Sequence, residues 1–155
     1  MNIFLIRHTK AGHRLSGYQD RYRPLSDEGK TQASNIDRFF LDKDVSEILS
    51  SPAVRCQQTV EPLGARLSLP VVESDILWED SLPSEILELI NASSTTSTVL
   101  CSHGNLIPVV ISMLRDSGVT TTGRGGSKGS IWWIQGEPNA WTTATYHSPD
   151  SLAAG

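Results

Sequence analysis

The feature that most restricts the fold of this chain is the alternation of short apolar runs with amphipathic stretches. Residues 2–6 read NIFLI, a continuous apolar run typical of a strand buried on both faces. Further strands are predicted at residues 45–49, 70–72, 98–101, 131–134 and 142–146. Helical stretches between them predict an α/β fold, a three-layer α/β/α sandwich with a mostly parallel sheet. The last two strands should pair as an antiparallel edge, because residues 136–139 are too few for a crossover.

Capping residues and glycines mark where these elements begin and end. Ser26 is the predicted N-cap of the first helix, and Ser51-Pro52 should begin the second helix with Ser51 as its N-cap. Residues 10–25 read as a loop, and the glycine-rich residues 117–130 read as a mobile loop. Residues 148–155 are expected to form a flexible C-terminal tail.

Length and charge restrict the class of protein further. The 155 residues fit one domain, placed at residues 1–147, and the formal net charge is −4. That charge and the lack of a basic cluster argue against nucleic acid as a partner. No apolar run approaches the roughly 18–20 residues of a membrane span, and the first residues do not resemble a signal peptide, so a cytoplasmic location without membrane contact is expected. Cys56 and Cys101 are expected to be buried free thiols.

Polar side chains follow several strands at the point where each strand ends. These side chains are Arg7 and His8 after the first strand, Arg55 after the second, Glu79 and Asp80 after the third, and His103 and Gly104 after the fourth. Ligands of open α/β sheets bind beyond the carboxyl ends of the strands. The sequence therefore predicts one site that contains two imidazoles, two guanidinium groups and a carboxylate.

This combination of groups suits a phosphate dianion. A neutral histidine is a nucleophile at pH 7, and the planar fork of an arginine matches phosphate oxygens. Helices predicted to begin near Pro52 and Gly104 add backbone N–H donors and partial positive charge. The net charge of −4 does not oppose binding, since the Debye length is about 8 Å at physiological salt.

The same residues resemble the histidine phosphatase superfamily, which has a phosphoglycerate-mutase-like fold. The resemblance rests on Arg7-His8, on SPAVR at residues 51–55 followed by Gln58-Thr59, and on Ser102-His103-Gly104, and it covers nearly the whole chain in order. RHTKAG, RPLSDEG, RCQQTVEPL, SHGNLIP and KGSIWW are most similar to the small phosphohistidine-phosphatase-like branch. In particular, they are similar to the domain that follows a Nudix hydrolase in some bacterial fusion proteins, although this chain contains no Nudix signature.

The resemblance implies a role for each matching residue. His8 would be the phosphorylated nucleophile, Glu79 the proton donor, and His103 a second catalytic histidine that stabilises the transferring charge. The phosphate-binding groups would be Arg7, Arg55, His103 and Gly104. Thr9 replaces the glycine that usually follows the Arg-His pair, so a different loop backbone is expected there. The chain has little length for an insertion over the site, so the pocket should be open.

These observations predict a phosphatase that needs no metal or cofactor and forms a phosphohistidine intermediate on His8. Its substrate would be a phosphomonoester or phosphohistidine, carried by a small molecule, a nucleotide or a protein. Either Glu79 or Asp80 could donate the proton, and a phosphohistidine substrate would depend little on either, since its leaving group is good. Arg14, Arg23 and Lys128 are candidates for substrate contacts, or else solvated surface charges.

Three other readings of the same residues remain open. The site could bind phosphate or a phosphoprotein without catalysis, or it could transfer phosphate as a mutase does. A mutase needs a closed pocket, for which the chain has few residues. A zinc site on His8 and His103 is disfavoured, because two arginines would repel the ion and no third ligand stands out.

Overall fold

A computed structural model describes all residues, 1–155, and shows seven strands and five α-helices. The strands are β1 (Asn2–Arg7), β2 (Glu47–Ser50), β3 (Val71–Glu73), β4 (Ser97–Ser102), β5 (Thr120–Thr122), β6 (Ile131–Glu137) and β7 (Ala140–His147). The helices are α1 (Asp27–Phe39), α2 (Val54–Leu67), α3 (Pro83–Asn91), α4 (Ile107–Asp116) and α5 (Pro149–Ala154). Short 3₁₀ turns occupy Asp20–Tyr22 and Asp75–Leu77.

All seven strands form one sheet in the order β3-β2-β4-β1-β6-β7-β5. The first four strands in the chain pair in parallel, β6 is antiparallel to β1, and β7 is antiparallel to β6. The predicted mostly parallel sheet with an antiparallel edge is therefore confirmed. The parallel strands β1 and β4 are neighbours, so the residues that follow their carboxyl ends lie side by side.

Two apolar cores cover the two faces of this sheet. Successive side chains of β1 alternate between them, as expected for a strand with a residue period of two. Ile3 and Leu5 belong to the core that contains α3 and α4, whereas Phe4 and Ile6 pack with residues of α1 and α2. This arrangement is the predicted three-layer sandwich. No helix is both long enough and apolar enough to cross a membrane.

The two predicted helix starts have different outcomes. Ser26 is the N-cap of α1, because its side chain accepts a hydrogen bond from the amide of Gly29. The prediction for Ser51 is wrong, since α2 begins at Val54 with Ala53 as its N-cap. The Ser51 hydroxyl accepts a hydrogen bond from the Ala53 amide and also reaches His103, so it serves the loop before the helix.

Two segments expected to be irregular contain regular structure. Thr120–Thr122, within the glycine-rich loop, forms β5 and pairs in parallel with β7. The prediction of a flexible tail at residues 148–155 is wrong about the local structure, because Pro149–Ala154 forms α5 with Ser148 as its N-cap. Leu152 is buried against the α1 side of the sheet, and Arg38 donates hydrogen bonds to the Leu152 and Ala153 carbonyls.

Candidate active site

His8 follows β1 directly and is 6% exposed. Its amide donates to the carbonyl of Ser102, which ties the residue to the end of β4. The ring Nδ1 lies 2.8 Å from the carbonyl oxygen of Thr9. A carbonyl can only accept, so Nδ1 carries the proton and Nε2 keeps a free lone pair. Burial, with a smaller effect from neighbouring Arg55, lowers the pKa of His8 to about 3, so the ring is neutral at pH 7.

Thr9, which departs from the family pattern, anchors the loop that follows His8. Its amide donates to the hydroxyl of Thr59 at 3.0 Å, and its own hydroxyl donates to the carbonyl of Gly29 at 2.8 Å. The Thr59 hydroxyl in turn donates to the carbonyl of Arg55. Thr9 does not adopt a positive φ, so a threonine fits this backbone without strain.

His103 follows β4 and is 3% exposed, with its ring centroid 5.5 Å from that of His8. Its Nε2 lies 2.8 Å from the Ser51 hydroxyl, which fixes the orientation of the ring. The edge of Trp78 packs against the ring at a centroid distance of 5.5 Å. The two imidazoles predicted to converge therefore lie within the span of one phosphoryl group.

Arg55, in the first turn of α2, is the largest fully buried side chain of the protein. Its Nη1 donates to the carbonyl of Asp20 at 2.9 Å, and its Nη2 lies 3.3 Å from carboxylate oxygens of both Asp20 and Glu79. Nη2 is also 3.5 Å from Nδ1 of His103. Two carboxylates thus compensate the buried guanidinium, which satisfies the requirement for pairing a buried charge.

Arg7 brings the second guanidinium to the same edge of the sheet. Its Nη1 donates to the carbonyl of Gly126 at 2.6 Å. Gly104 packs directly on the guanidinium, since a Cβ at this position would overlap Arg7 atoms. Gly104 was predicted as a phosphate-binding residue, and its observed contact is with Arg7. The Nε atoms of Arg7 and Arg55 are buried and have no hydrogen-bond partner in the protein.

Of the two adjacent carboxylates, only Glu79 enters this cluster. Its Oε2 lies 3.3 Å from Nη2 of Arg55 and 3.9 Å from Nδ1 of His103. The side-chain amide of Asn105 donates to the Glu79 carbonyl and fixes the backbone there. Asp80 is exposed and accepts a hydrogen bond from Nε1 of Trp78. The geometry therefore favours Glu79 as the group that could exchange a proton at this site.

The three candidates for substrate contacts lie at the periphery. Arg23 bonds the Asp20 carboxylate at 2.8 Å and the Gly12 carbonyl at 3.0 Å, so it holds the loop together. Arg14 is 76% exposed and 3.7 Å from Asp20. Lys128 is exposed, but partial loss of solvation lowers the pKa of its ammonium group, with smaller effects from the nearby cations Arg7 and Arg23. Of the three, Lys128 stands beside the site without a competing acid.

The sequence did not predict the roles of two residues of this cluster, Asp20 and Ser51. Asp20 holds Arg55, and its hydrogen bond with Arg23 lowers the pKa of its carboxyl group, so it is ionised at neutral pH. It lies in a loop with no motif around it, and no sequence signal marks it. Ser51 was noticed as a polar residue before a proline, but its contact with His103 depends on the tertiary structure.

The arrangement can bind and orient an anion. The guanidinium group of Arg55 and the two imidazoles lie close together at the end of the parallel strands, and Arg7 brings a second guanidinium to the same edge. Guanidinium groups match the oxygens of phosphate and carboxylate, so an anion with several acceptor oxygens would be stabilised here. The structure brings no group of three or more potential metal ligands together.

An α/β sandwich with an Arg-His pair at the end of β1 and a second histidine after β4 defines a class of phosphate-handling protein. The chain matches the model of the histidine phosphatase superfamily (branch 1) over residues 3–84, which is more than half of its length. It belongs to this superfamily, as the resemblance predicted.

Comparison of the sequence and comparison of the structure both find proteins that are named as phosphatases. The chain is 29% identical to the 8-oxo-(d)GTP phosphatase of Mycolicibacterium smegmatis over 95% of its own length, and it spans about half (48%) of that protein. It is 26% identical to the phosphohistidine phosphatase SixA of Escherichia coli over 74% of each chain.

A solved protein histidine phosphatase SixA, complexed with tungstate, superposes with a TM-score of 0.81 at 21% identity, over 98% of this chain and 99% of that one. The α-ribazole phosphatase of Shigella flexneri superposes with a TM-score of 0.72 at 17% identity, over 96% and 97% of the chains. These superpositions confirm the predicted fold.

Proposed function

We propose that this protein is a phosphatase that forms a covalent phosphohistidine on His8 and hydrolyses it. The observation that carries the proposal is the state of the His8 ring. Its Nδ1 proton is bound to a carbonyl, its Nε2 lone pair is free, and its pKa is lowered to about 3 by burial. A neutral imidazole beside two guanidinium groups is a nucleophile placed next to a phosphate site.

In the first step, Nε2 of His8 attacks the phosphorus in line with the leaving group. The N–P bond forms while the P–O or P–N bond to the leaving group breaks, and the electron pair of that bond goes to the leaving atom. Glu79 donates a proton to a poor leaving group such as an alkoxide. Arg7, Arg55 and His103 stabilise the negative charge of the equatorial oxygens.

In the second step, water attacks the phosphorus of phosphohistidine and transfers a proton to Glu79. The N–P bond breaks, its electron pair returns to Nε2, and inorganic phosphate leaves. These two steps require no metal ion, since the arginines supply the positive charge. The names of the relatives support the activity, because they are phosphatases of an oxidised nucleotide and of phosphohistidine.

The proposal is tested with p-nitrophenyl phosphate and a phosphohistidine protein, each with and without EDTA. Wild-type protein should hydrolyse at least one of them with no effect of EDTA, and His8→Ala should be inactive. Brief incubation followed by denaturation should trap a phosphoryl adduct that is labile to acid and stable to base. The control is His147→Gln, since His147 packs against Phe39 and Trp133, away from the site.

Activity that survives in His8→Ala would exclude the covalent mechanism. The alternative of a non-catalytic binding module has a different signature, in which phosphate binds but no adduct forms in wild-type protein. Trapping of the adduct excludes this alternative.

A further inference from the structure

The loop that follows β1 forms a cavity of about 240 Å³, and Asp20, which contacts Arg55, is part of its wall. Leu15, Tyr18 and Tyr22 are further residues of this wall. Drug-sized ligands occupy pockets of about 300–1,000 Å³. The smaller cavity is of a size to receive one ring system, and the proposed mechanism does not use it.

The cavity wall carries unusually exposed apolar side chains. Tyr18 is 77% exposed, Tyr22 63% and Leu15 63%, and together they are three of the seven most exposed large hydrophobic residues of the protein. The Arg21 guanidinium lies over the Tyr22 ring, 5.8 Å from its centroid, and the high exposure of both tyrosines leaves much of their ring surface open to solvent. Exposed tyrosines on one wall are suited to stacking with a planar ligand such as a nucleobase.

Asp20 connects this cavity to the phosphate site. It forms part of the cavity wall, and both its carbonyl and its carboxylate contact the guanidinium of Arg55. Arg21 extends the connection, because its guanidinium lies 5.8 Å from the ring centroids of both Tyr22 and Trp78. Trp78 in turn packs against His103. A single ligand could therefore contact the loop cavity and Arg55 together.

Two lysines, Lys10 and Lys128, lie in the segments next to His8 and Arg7. Lys10 lies two residues after His8, and its amide is held by the side chain of Gln32. Lys128 precedes Gly129, whose amide donates to the carbonyls of Arg7 and His8. These two lysines flank the nucleophile from opposite segments, and only Lys10 forms an ion pair, with Glu28. Their charge suits further phosphate groups next to the one that is transferred.

We propose that the loop cavity is the base-binding subsite of a nucleoside di- or triphosphate substrate. The base stacks on Tyr18 and Tyr22, the inner phosphates contact Lys10 and Lys128, and the terminal phosphate lies between Arg55 and His8. His8 then receives the terminal phosphoryl group, and the nucleotide leaves shortened by one phosphate. This assignment rests on the proposed function and names its substrate class.

Binding is measured by calorimetry with a matched pair of probes that the enzyme cannot hydrolyse. One is a purine nucleoside methylenediphosphonate, and the other is methylenediphosphonate, which lacks only the nucleoside. Wild-type protein should bind the nucleoside probe at least about tenfold more tightly, the gain expected from one stacked base. Equal affinities for the two probes would overturn the proposal.

Variants then locate the gain in affinity. Tyr18→Ala and Tyr22→Ala together should remove most of the preference for the nucleoside probe and leave binding of methylenediphosphonate unchanged. Leu15→Ala should weaken the preference, whereas Leu41→Ala, at an equally exposed leucine outside the cavity (62%), should not. A preference that is unchanged in the double variant would place the base elsewhere and overturn the assignment.

The outcomes separate this proposal from the proposed function. Hydrolysis of p-nitrophenyl phosphate through His8 without any nucleoside preference would retain the phosphatase and reject the subsite. A nucleoside preference that depends on the two tyrosines, in a protein without a phosphohistidine adduct, would retain the subsite and reject the catalytic mechanism. A phosphohistidine protein that competes with methylenediphosphonate more strongly than the nucleoside probe does would also reject the subsite.

Discussion

At the residue scale, the neutral state of the His8 ring couples the proposed nucleophile to folding. In the unfolded chain a histidine takes up a proton near pH 6.5, whereas burial lowers the pKa of folded His8 to about 3. The unfolded state therefore binds more protons between these values. The stability that His8 contributes is present above pH 6.5 and is lost as the pH falls toward 3.

This coupling predicts the effect of pH on stability. Between pH 7 and pH 5, His8 should lower the free energy of unfolding by about 2 kcal/mol, or 1.36 kcal/mol for each pH unit below 6.5. His8→Gln should remove this part of the loss, measured as the urea midpoint at the two pH values. The control is His13→Gln, at an exposed histidine, which should lose as much stability as wild type. An equal loss in wild type and His8→Gln would show that His8 titrates normally in the folded protein.

Glu79 and Asp80 allow a matched test of the proton donor. Glu79→Gln should lower kcat/KM on an alkyl phosphate by about 10²–10⁴-fold, because an alkoxide needs a proton to leave. On a phosphohistidine protein the loss should be less than about tenfold. Asp80→Asn should have little effect on either substrate, since Asp80 is exposed and its carboxylate accepts a hydrogen bond from Trp78. Equal large losses of Glu79→Gln on both substrates would assign the residue to phosphate binding instead.

At the scale of elements, α5 packs on the core that lies between the sheet and the helices α1 and α2. Loss of this packing should lower stability rather than activity. Leu152 is 6% exposed, and truncating a buried leucine costs about 2–5 kcal/mol. Leu152→Ala should lower the free energy of unfolding by about 2 kcal/mol, the low end, because α5 lies at the edge of the core. Leu41→Ala, at a leucine 62% exposed, should change it by less than about 0.5 kcal/mol. Equal effects of the two substitutions would show that α5 does not pack as described.

The sequence predicted the elements whose apolar pattern is long enough to be read. NIFLI gave β1, and the order of strands and helices led to the parallel sheet and its antiparallel edge. The apolar pattern of the sequence did not predict β5 or α5. Thr120–Thr122 is polar and mostly exposed, so its strand depends on pairing with β7. In Pro149–Ala154 only Leu152 is apolar and buried, and one such residue sets no period.

At the scale of the whole molecule, the sheet explains why the site could be predicted in part. Residues after the ends of parallel strands must lie together, so Arg7, His8 and His103 follow from the order of the strands. Asp20 and Ser51 did not follow, because loop paths decide their contacts with Arg55 and His103. Their roles depend on distances between segments more than 30 residues apart, which no local pattern encodes.

The whole molecule carries a net charge of −4, whereas the edge of the sheet that contains His8 is cationic. Salt screens both the repulsion of an anionic substrate by the net negative charge and its attraction by the cationic edge. Weaker repulsion would lower KM, whereas weaker attraction would raise it. If the cleft dominates, raising NaCl from 0.1 to 1 M, which shortens the Debye length from about 10 to 3 Å, should raise KM severalfold and leave kcat unchanged. Lys128→Gln should make this dependence shallower, and Glu137→Gln, which changes an exposed charge far from the cleft, should not. A KM that falls with salt would mean that overall repulsion outweighs local attraction, and the cationic edge could not then capture phosphate as proposed.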